Sequence, residues 1–277
     1  MAKQTGSFNA SLDEAVDEFT KEGFGDGSRL SLWLDRLRKS ILADAPSLEV
    51  LHKRMKRSLQ SFYTRATSKS RMARTNPSVS RYTIDMLKQQ MRDELSRRIM
   101  ASANLIKLNR ERSIEQTLQR FSGWATSIPD GGSKNVDKRE VKGHIKKAFR
   151  QLSYEERRVA IDQGHKLMSA IDSVVSENSG AIAAIWHSHW RQAGYDYRPD
   201  HKERDGKYYA VRNSWAVKEG LINKGMGYLD EMTAPAEEPF CRCYAEYVHA
   251  LRDLPESMLT AKGKKLLEET RINRQRK

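Results

Sequence analysis

The two cysteines of the chain stand one residue apart, as Cys241 and Cys243 in the stretch PFCRC. In an extended segment their side chains would point to the same side, with Cα atoms about 6.6 Å apart, at the far edge of the disulfide range. The same placement suits two sulfur ligands of one zinc ion. It equally suits two small buried side chains, because free cysteine is among the most buried residue types. Zinc coordination and core packing are both open at this point.

A nitrogen ligand would have to come from one of four histidines near the cysteines in sequence, which are His187, His189, His201 and His249. We interpret AIAAIWHSHW as a helix, in which His187 and His189, two residues apart, point away from each other. His201 instead lies in a polar loop, RPDHKERDGK. We therefore expect His201, Cys241 and Cys243 to be the ligands if a metal ion is bound.

The loop around His201 also permits a catalytic interpretation. Asp200 and Asp205 flank the histidine, and Asn213 and the cysteine pair follow later in the chain. This order loosely resembles the His-Asn-His nucleases, in which a histidine activates water and a metal ion stabilises the leaving phosphate. A metal-dependent nuclease acting on DNA is therefore the alternative function, although the second histidine of that motif is missing.

Positive charge is concentrated in residues 53–74. The whole chain carries 50 Lys and Arg against 36 Asp and Glu, a formal net charge of +14. The segment KRMKRSLQSFYTRATSKSRMAR contains no acidic residue and eight cations: Lys53, Arg54, Lys56, Arg57, Arg65, Lys69, Arg71 and Arg74. Such a segment can bind duplex DNA through its phosphates, without reading the base sequence. The alternative is a solvated helix face followed by a mobile loop.

The elements that position these residues change in type along the chain. Apolar residues recur three or four positions apart between about residues 28 and 120, which predicts long amphipathic helices. Pro77 is expected to separate two of them, and the stretch SIPDGGSKN predicts a loop. After Gly194 the pattern changes to aromatics, glycine and alternation. Strands are predicted within Lys207–Val211, after an Asp205-Gly206 hairpin turn, and within Phe240–Val248.

The predicted fold class is α+β and predominantly α-helical, with long N-terminal helices followed by a small α+β module containing a short antiparallel sheet. We expect a basic helical region at 1–130, the α+β module at 131–250 and a basic tail at 251–277. Two cysteines exclude a disulfide scaffold. No secretory signal and no run of 18 apolar residues is present, so we expect a soluble protein of a reducing cytoplasm.

The last third of the chain resembles the Mu F-like minor head proteins of tailed bacteriophages, the phage head morphogenesis family that includes the SPP1-type minor head protein. The resemblance covers about residues 140 to 250. It is carried by the order and spacing of Trp190, the stretch DYRPDH, the stretch DGK and the stretch PFCRC. Its motif residues are Trp190, Arg198, Asp200, Asp205, Gly206, Pro239 and Arg242.

The resemblance implies a structural protein of the virion rather than an enzyme. The resemblance implies association with the portal protein and other head proteins during assembly in the host cytoplasm, in several copies per virion. It also implies contact with packaged double-stranded DNA inside the head, no membrane contact before infection, and no established catalytic activity. We expect PFCRC to close the α+β module, with Arg242 reaching Asp200 or Asp205.

Overall fold

The computed structural model describes residues 7–150 and 152–275. Over these residues the predicted fold class is confirmed, because helices dominate and the strands form one small antiparallel sheet. The helices are α1 Phe8–Glu22, α2 Gly27–Asp44, α3 Leu48–Ala66, α4 Lys69–Thr75, α5 Arg81–Met86, α6 Lys88–Ala125, α7 Lys138–Ile145, α8 Lys147–Arg150, α9 Leu152–Asn178, α10 Pro199–Glu203, α11 Trp215–Lys218 and α12 Ala261–Gln275. No described helix is long and apolar enough to cross a bilayer.

Residue contacts divide the chain into two compact units that do not coincide with the predicted ranges. The first comprises Met1–Arg54 and Ala101–Val159, and the second comprises Met55–Met100 and Ala160–Lys277. The physical reason is a shared core in the second unit, where apolar residues of the N-terminal helices, such as Leu59 and Met91, pack with Leu167 and Ile171 of α9. Hydrophobic burial thus joins residues that the predicted boundary near 130 separates.

The first unit is helical and has its own core. Its buried residues lie at helical spacing, as the sequence pattern requires: Leu12, Val16 and Phe19 of α1, Trp33, Leu37 and Ile41 of α2, and Ile114, Leu118 and Phe121 of α6. The Asp26 side chain accepts a hydrogen bond from the backbone N–H of Arg29 and so begins α2. The predicted loop at 127–135 is irregular.

The second unit contains the sheet, whose strands are β1 Ala183–His187, β2 Tyr208–Ala210 and β3 Tyr244–Val248, in the order β2-β1-β3. Ala184 of β1 lies opposite Tyr209 on one side and Tyr247 on the other. The predicted strands near Tyr208 and Tyr247 are therefore confirmed, and the break at Pro77 is confirmed by the end of α4 at Thr75.

The central strand β1 contradicts the predicted helix in AIAAIWHSHW. Gly180, with φ of 70°, stands between the end of α9 and this strand. Ala183, Ala184 and Trp186 are all buried, because both faces of β1 are covered. A strand buried on both faces has no alternation to reveal it, and its alanines favour helix when judged locally.

Candidate metal centre

Three potential metal ligands meet in the interior of the second unit. The Nδ1 atom of His201 lies 3.6 Å from the Sγ atom of Cys241 and 3.5 Å from that of Cys243. All three donor atoms lie within 4.8 Å of one another. The exposed fractions of the residues are 2%, 1% and 3%, and neither cysteine forms a disulfide. The histidine and the cysteine pair singled out in the sequence are therefore brought together.

Two short elements position these side chains. His201 lies in α10, a single helical turn that begins with Pro199, whose fixed φ suits the first position of a helix. The cysteines precede β3, which begins only at Tyr244, so the prediction of a strand from Phe240 onward is corrected. The alternating burial of Cys241, Cys243 and Ala245 nevertheless holds, with the residues between them less buried.

The turn into the cysteine pair is fixed by a buried carboxylate of α9. Phe240 has a φ of 61°, a left-handed conformation that side-chain-bearing residues rarely adopt. Its backbone N–H donates to Oδ1 of Asp162 at 2.6 Å, and Asp162 also pairs with Lys166 at 3.1 Å. Strained backbone that is held by surrounding contacts often occurs at functional sites. No signal in the sequence indicates this role of Asp162.

The second nitrogen of His201 faces acidic groups. Its Nε2 atom lies 3.5 Å from Oε2 of Glu238 and 3.9 Å from Oδ2 of Asp200. This nitrogen is buried and forms no hydrogen bond within the described part of the chain. The ring of Trp186 packs edge-on against the imidazole at 5.4 Å. A carboxylate on the far side of a metal-binding histidine orients its ring and increases its basicity, and Glu238 occupies that position.

The two thiols have different acidities. A hydrogen bond from Cys243 lowers the pKa of Cys241 to about 6, against the opposing effect of burial. The same hydrogen bond, together with burial, raises the pKa of Cys243. The lowered pKa favours the thiolate form of Cys241, and the thiolate is the form of cysteine that binds metals.

The two nitrogen–sulfur spacings fit a tetrahedral ion. Metal–nitrogen and metal–sulfur bonds of about 2.0 and 2.3 Å, at a tetrahedral angle, place the two donor atoms about 3.5 Å apart. The observed nitrogen–sulfur separations are 3.6 and 3.5 Å. His201, Cys241 and Cys243 could therefore hold a metal ion.

The motif residues surround this centre, with different partners from those expected. Asp205 accepts hydrogen bonds from the Trp190 indole at 2.9 Å and from the backbone N–H of Ser188 at 2.8 Å. Asp200 pairs with Arg204 at 2.7 Å. The predicted contact of Arg242 with either aspartate is wrong, because both carboxylates are engaged by nearer groups.

Arg242 and Arg198 hold the PFCRC segment in other ways. The Arg242 guanidinium lies over the ring of Tyr195, and its backbone N–H donates to the Tyr195 hydroxyl at 3.2 Å. Arg198 binds Glu238 at 2.6 Å and donates to the carbonyl oxygen of Pro239 at 3.1 Å. These contacts tie the loop before α10 to the segment that carries the cysteines.

The sequence predicted a hairpin turn at Asp205-Gly206, but this pair is not the turn of a two-residue hairpin. It ends the segment that follows α10, and Gly206, with φ of 74°, donates its backbone N–H to the Trp186 carbonyl oxygen at 2.8 Å. The chain between β1 and β2 includes α10. The antiparallel pair β1–β2 is thus closed by a long connection that contains the metal-ligand candidate His201.

The other histidines near the cysteines do not join the ligand group. His187 lies in β1 rather than in a helix, where its Nε2 is 3.1 Å from Glu246 and its ring stacks on Tyr244. His189 packs edge-on against the same tyrosine. His249 is only partly exposed, and burial lowers its pKa.

The predicted DNA-binding cations do not form a mobile basic loop, because helices α3 and α4 contain all eight of them. Lys53, Arg54, Lys56 and Arg57 are exposed on α3, although Lys53 pairs with Glu49 at 2.7 Å and Arg54 lies 3.9 Å from Glu156. The exposed cations that remain are Arg65, Lys69 and Arg74.

Arg71 is the clear exception among the predicted phosphate contacts. Only 6% of the residue is exposed, and its guanidinium pairs with the buried carboxylate of Asp172. Thr75 donates to the same carboxylate at 2.9 Å. Arg71 therefore satisfies a buried acid, and a phosphate of DNA cannot replace that partner without leaving Asp172 as an unpaired buried charge.

Comparison of the chain with protein-family models, with curated proteins and with solved structures found no match.

Proposed function

We propose that this chain is a structural protein of the head of a tailed bacteriophage, of the Mu F-like minor head type. The supporting observation is that the segments carrying the resemblance, from Trp190 to Cys243, surround one buried centre. In this proposal the chain associates with the portal and other head proteins, in several copies per virion. It lies in the head interior or at the portal, after assembly in the host cytoplasm.

The proposed metal ion is zinc. One imidazole nitrogen and two thiolates are ligands that zinc prefers, and the nitrogen–sulfur distances suit its tetrahedral geometry. Zinc would link α10 to the segment before β3, so its binding energy would contribute directly to folding. Three protein ligands leave one coordination position for a water molecule or another ligand. Glu238 and Trp186 would hold the imidazole in place.

A structural role is favoured over the nuclease alternative by the environment of His201. A histidine that activates water for attack on DNA must reach both the water and the phosphate. His201 is 2% exposed, its Nδ1 faces two sulfurs, and Trp186 packs against its ring. These contacts suit a fixed ligand. Asn213, the other residue of the nuclease interpretation, is exposed.

Contact with packaged DNA is proposed to use exposed cations of α3 and α4, such as Lys56, Arg57 and Lys69. Cations without fixed carboxylate partners release counterions when they neutralise phosphates, which favours binding without sequence preference. The net charge of +14 favours the same partner. Arg71 is removed from this set, since it pairs with Asp172.

The test is co-expression of the chain with the portal, scaffolding and major head proteins of the same phage, followed by sedimentation of procapsids. We expect the chain to sediment with procapsids when the portal is present and to remain at the top of the gradient when the portal is omitted. An unrelated basic protein of similar size is the control for adhesion by charge. Absence from portal-containing procapsids would contradict the proposal.

The enzyme alternative is tested on the same purified protein. Supercoiled plasmid is incubated with the chain and either Mg²⁺ or Zn²⁺, beside the His201→Ala variant. We expect no nicking above the buffer control in either case. Nicking by the parent protein that His201→Ala abolishes would establish the nuclease instead of the structural protein.

A further inference from the structure

The second unit contains a cavity of about 400 Å³ that is lined by several basic side chains. We call it the basic cavity. The lining groups that can carry positive charge are Arg65, Arg71, Arg74, His165, His189 and Arg242. No aspartate or glutamate is among its described lining residues. The sequence places these cations far apart, and only the fold brings Arg242 to the arginines near residue 70.

Three of the four guanidinium groups lie over aromatic rings and have no carboxylate partner. The distances from guanidinium carbon to ring centroid are 5.6 Å for Arg65 over Phe62, 5.1 Å for Arg74 over Tyr244 and 5.2 Å for Arg242 over Tyr195. No described carboxylate oxygen lies within 4.0 Å of these three groups. An aromatic ring orients a guanidinium group but does not neutralise its charge, so three positive charges remain for a ligand.

The fourth guanidinium, that of Arg71, is rigidly held at the wall of the basic cavity. Its ion pair with Asp172 neutralises one charge and fixes the group. Its Nε atom is buried and has no hydrogen-bond partner within the described part of the chain. A buried N–H without a partner costs free energy unless a ligand or water accepts from it. This donor is therefore a second and independent indication of a ligand.

The acidity of His165 is consistent with a positive potential in the cavity. Burial is the main cause that lowers its pKa to about 4, and the neighbouring Arg242, His189, Arg71 and Arg65 lower it further. His165 is therefore neutral at pH 7. Its neutral ring adds no charge at that pH and leaves the arginines as the groups that attract an anion.

We propose that the basic cavity binds a phosphate group. A phosphate monoester or a free phosphate carries a charge of about −1.5 to −2 at pH 7. This charge matches three unpaired guanidinium groups better than the single negative charge of a carboxylate does. Guanidinium groups donate two parallel hydrogen bonds to phosphate oxygens. The phosphate can come from a free phosphate or pyrophosphate, or from the backbone or end of a nucleic acid. This inference does not depend on the proposed role in the phage head.

The experiment is calorimetric titration of the full chain with pyrophosphate at constant ionic strength, with acetate as the control anion. Arg74→Gln combined with Arg242→Gln should weaken pyrophosphate binding at least tenfold. The matched control is Arg271→Gln, an exposed arginine on α12, which should change the affinity less than twofold. Since Arg242 follows Cys241 directly, Arg74→Gln alone is measured too, with its thermal unfolding as a check on folding.

A second arm identifies the source of the phosphate. A short DNA duplex with 5′-phosphates, the same duplex without them, and pyrophosphate are compared on parent and variants. Loss of pyrophosphate affinity with unchanged duplex affinity assigns a free anion as ligand, and loss of both affinities assigns the phosphates of a nucleic acid. Both results support the proposal. It is overturned if the affinity for pyrophosphate does not respond to the cavity variants, if Arg271→Gln has an equal effect, or if acetate binds as tightly as pyrophosphate.

Discussion

The imidazole of His201 has two nitrogens with separate surroundings. Its Nδ1 faces the two sulfurs, and its Nε2 lies 3.5 Å from Glu238. A proton on Nε2 leaves the Nδ1 lone pair free for a metal ion, so the position of Glu238 favours the tautomer that a ligand requires. The cysteines then provide the negative charge that a divalent ion needs. The centre thus depends on at least four side chains, of which the sequence indicated three.

We expect Cys241→Ser to reduce both zinc content and stability. A serine oxygen is a much weaker zinc ligand than a thiolate, and zinc binding contributes to folding. Protein purified without chelator should contain close to one equivalent of zinc by elemental analysis, and the variant should contain much less. The melting temperature should fall in parallel.

The chelator provides the control for this prediction. A strong chelator should lower the melting temperature of the parent protein and leave that of Cys241→Ser nearly unchanged, because the variant has no ion to lose. Equal melting temperatures of the parent with and without chelator, together with no zinc, would leave Cys241 and Cys243 as ordinary buried side chains.

The acidity of His165 predicts a dependence of stability on pH. Its pKa is lowered from 6.5 to about 4 in the folded protein, by burial first and then by Arg242, His189, Arg71 and Arg65. Between these two pH values the unfolded chain binds more protons than the folded one at this residue. Stability therefore falls as the pH falls from 6.5 to 4, by up to about 3 kcal/mol.

Asp172 titrates in an overlapping range with the opposite sign, so a difference measurement is required. Burial raises its pKa from 3.8 to about 6, although Arg71 and Thr75 act to lower it. Between these pH values the folded chain binds more protons at Asp172 than the unfolded chain does, so this residue lowers stability as the pH rises towards 6. Comparing the parent with His165→Gln cancels this contribution. Denaturant unfolding should show that the stability of His165→Gln relative to that of the parent increases as the pH falls from 6.5 to 4. A difference that is constant with pH would refute the assignment.

At the scale of elements, the packing of α3 on α9 depends on the absence of a side chain at Gly164. A Cβ atom added at Gly164 would lie 2.5 Å from Cγ of Phe62 and 2.6 Å from both of its Cδ atoms. These distances are too short for non-bonded carbon atoms, and Cγ cannot move without moving the whole ring. The glycine therefore permits close approach of the two helices in the second unit.

We expect Gly164→Ala to destabilise the protein by about 1–3 kcal/mol, the usual cost of overpacking a core. The matched control is Gly123→Ala on α6, where an added Cβ meets no atom within 4 Å. Alanine is the better helix former, so Gly123→Ala should be neutral or stabilising by up to about 1 kcal/mol. Denaturant unfolding of both variants measures the contrast. Equal effects of the two substitutions would show that Phe62 moves aside without cost.

The elements also show where local patterns are reliable. Helical spacing in the N-terminal part and the proline break near residue 77 predicted the elements there, because an amphipathic helix repeats its pattern over several turns. The strand β1 escaped prediction because a five-residue strand that is covered on both faces carries no such repeat. The prediction that His187 lies in a helix was wrong for the same reason.

At the scale of the whole molecule, the net charge of +14 predicts an affinity for DNA that salt controls. Each phosphate neutralised on duplex DNA should contribute about 0.9 log units of affinity per log unit of salt. We expect Lys56→Gln with Arg57→Gln to flatten this slope and to weaken all sequences alike. Filter binding or fluorescence anisotropy over a range of salt concentrations measures it.

The matched control for this surface is Lys264→Gln with Lys265→Gln on α12, which removes the same charge from another exposed helix. If net charge alone drives binding, both double variants will have equal effects. Portal association is measured on the same proteins. Loss of portal association with unchanged DNA affinity and salt slope would assign Lys56 and Arg57 to the portal instead of to DNA.

The sequence alone determined the dominance of helices, the break after Thr75 and the placement of Cys241 and Cys243 on one side, because these properties arise from periodicity over a few residues. The tertiary structure decided which partners those residues meet. Arg71 pairs with Asp172, 101 positions away, and His201 meets cysteines 40 and 42 positions away. Such pairings depend on how apolar surface is buried and how buried charges are paired across the whole unit, and the local spacing of residues does not predict them.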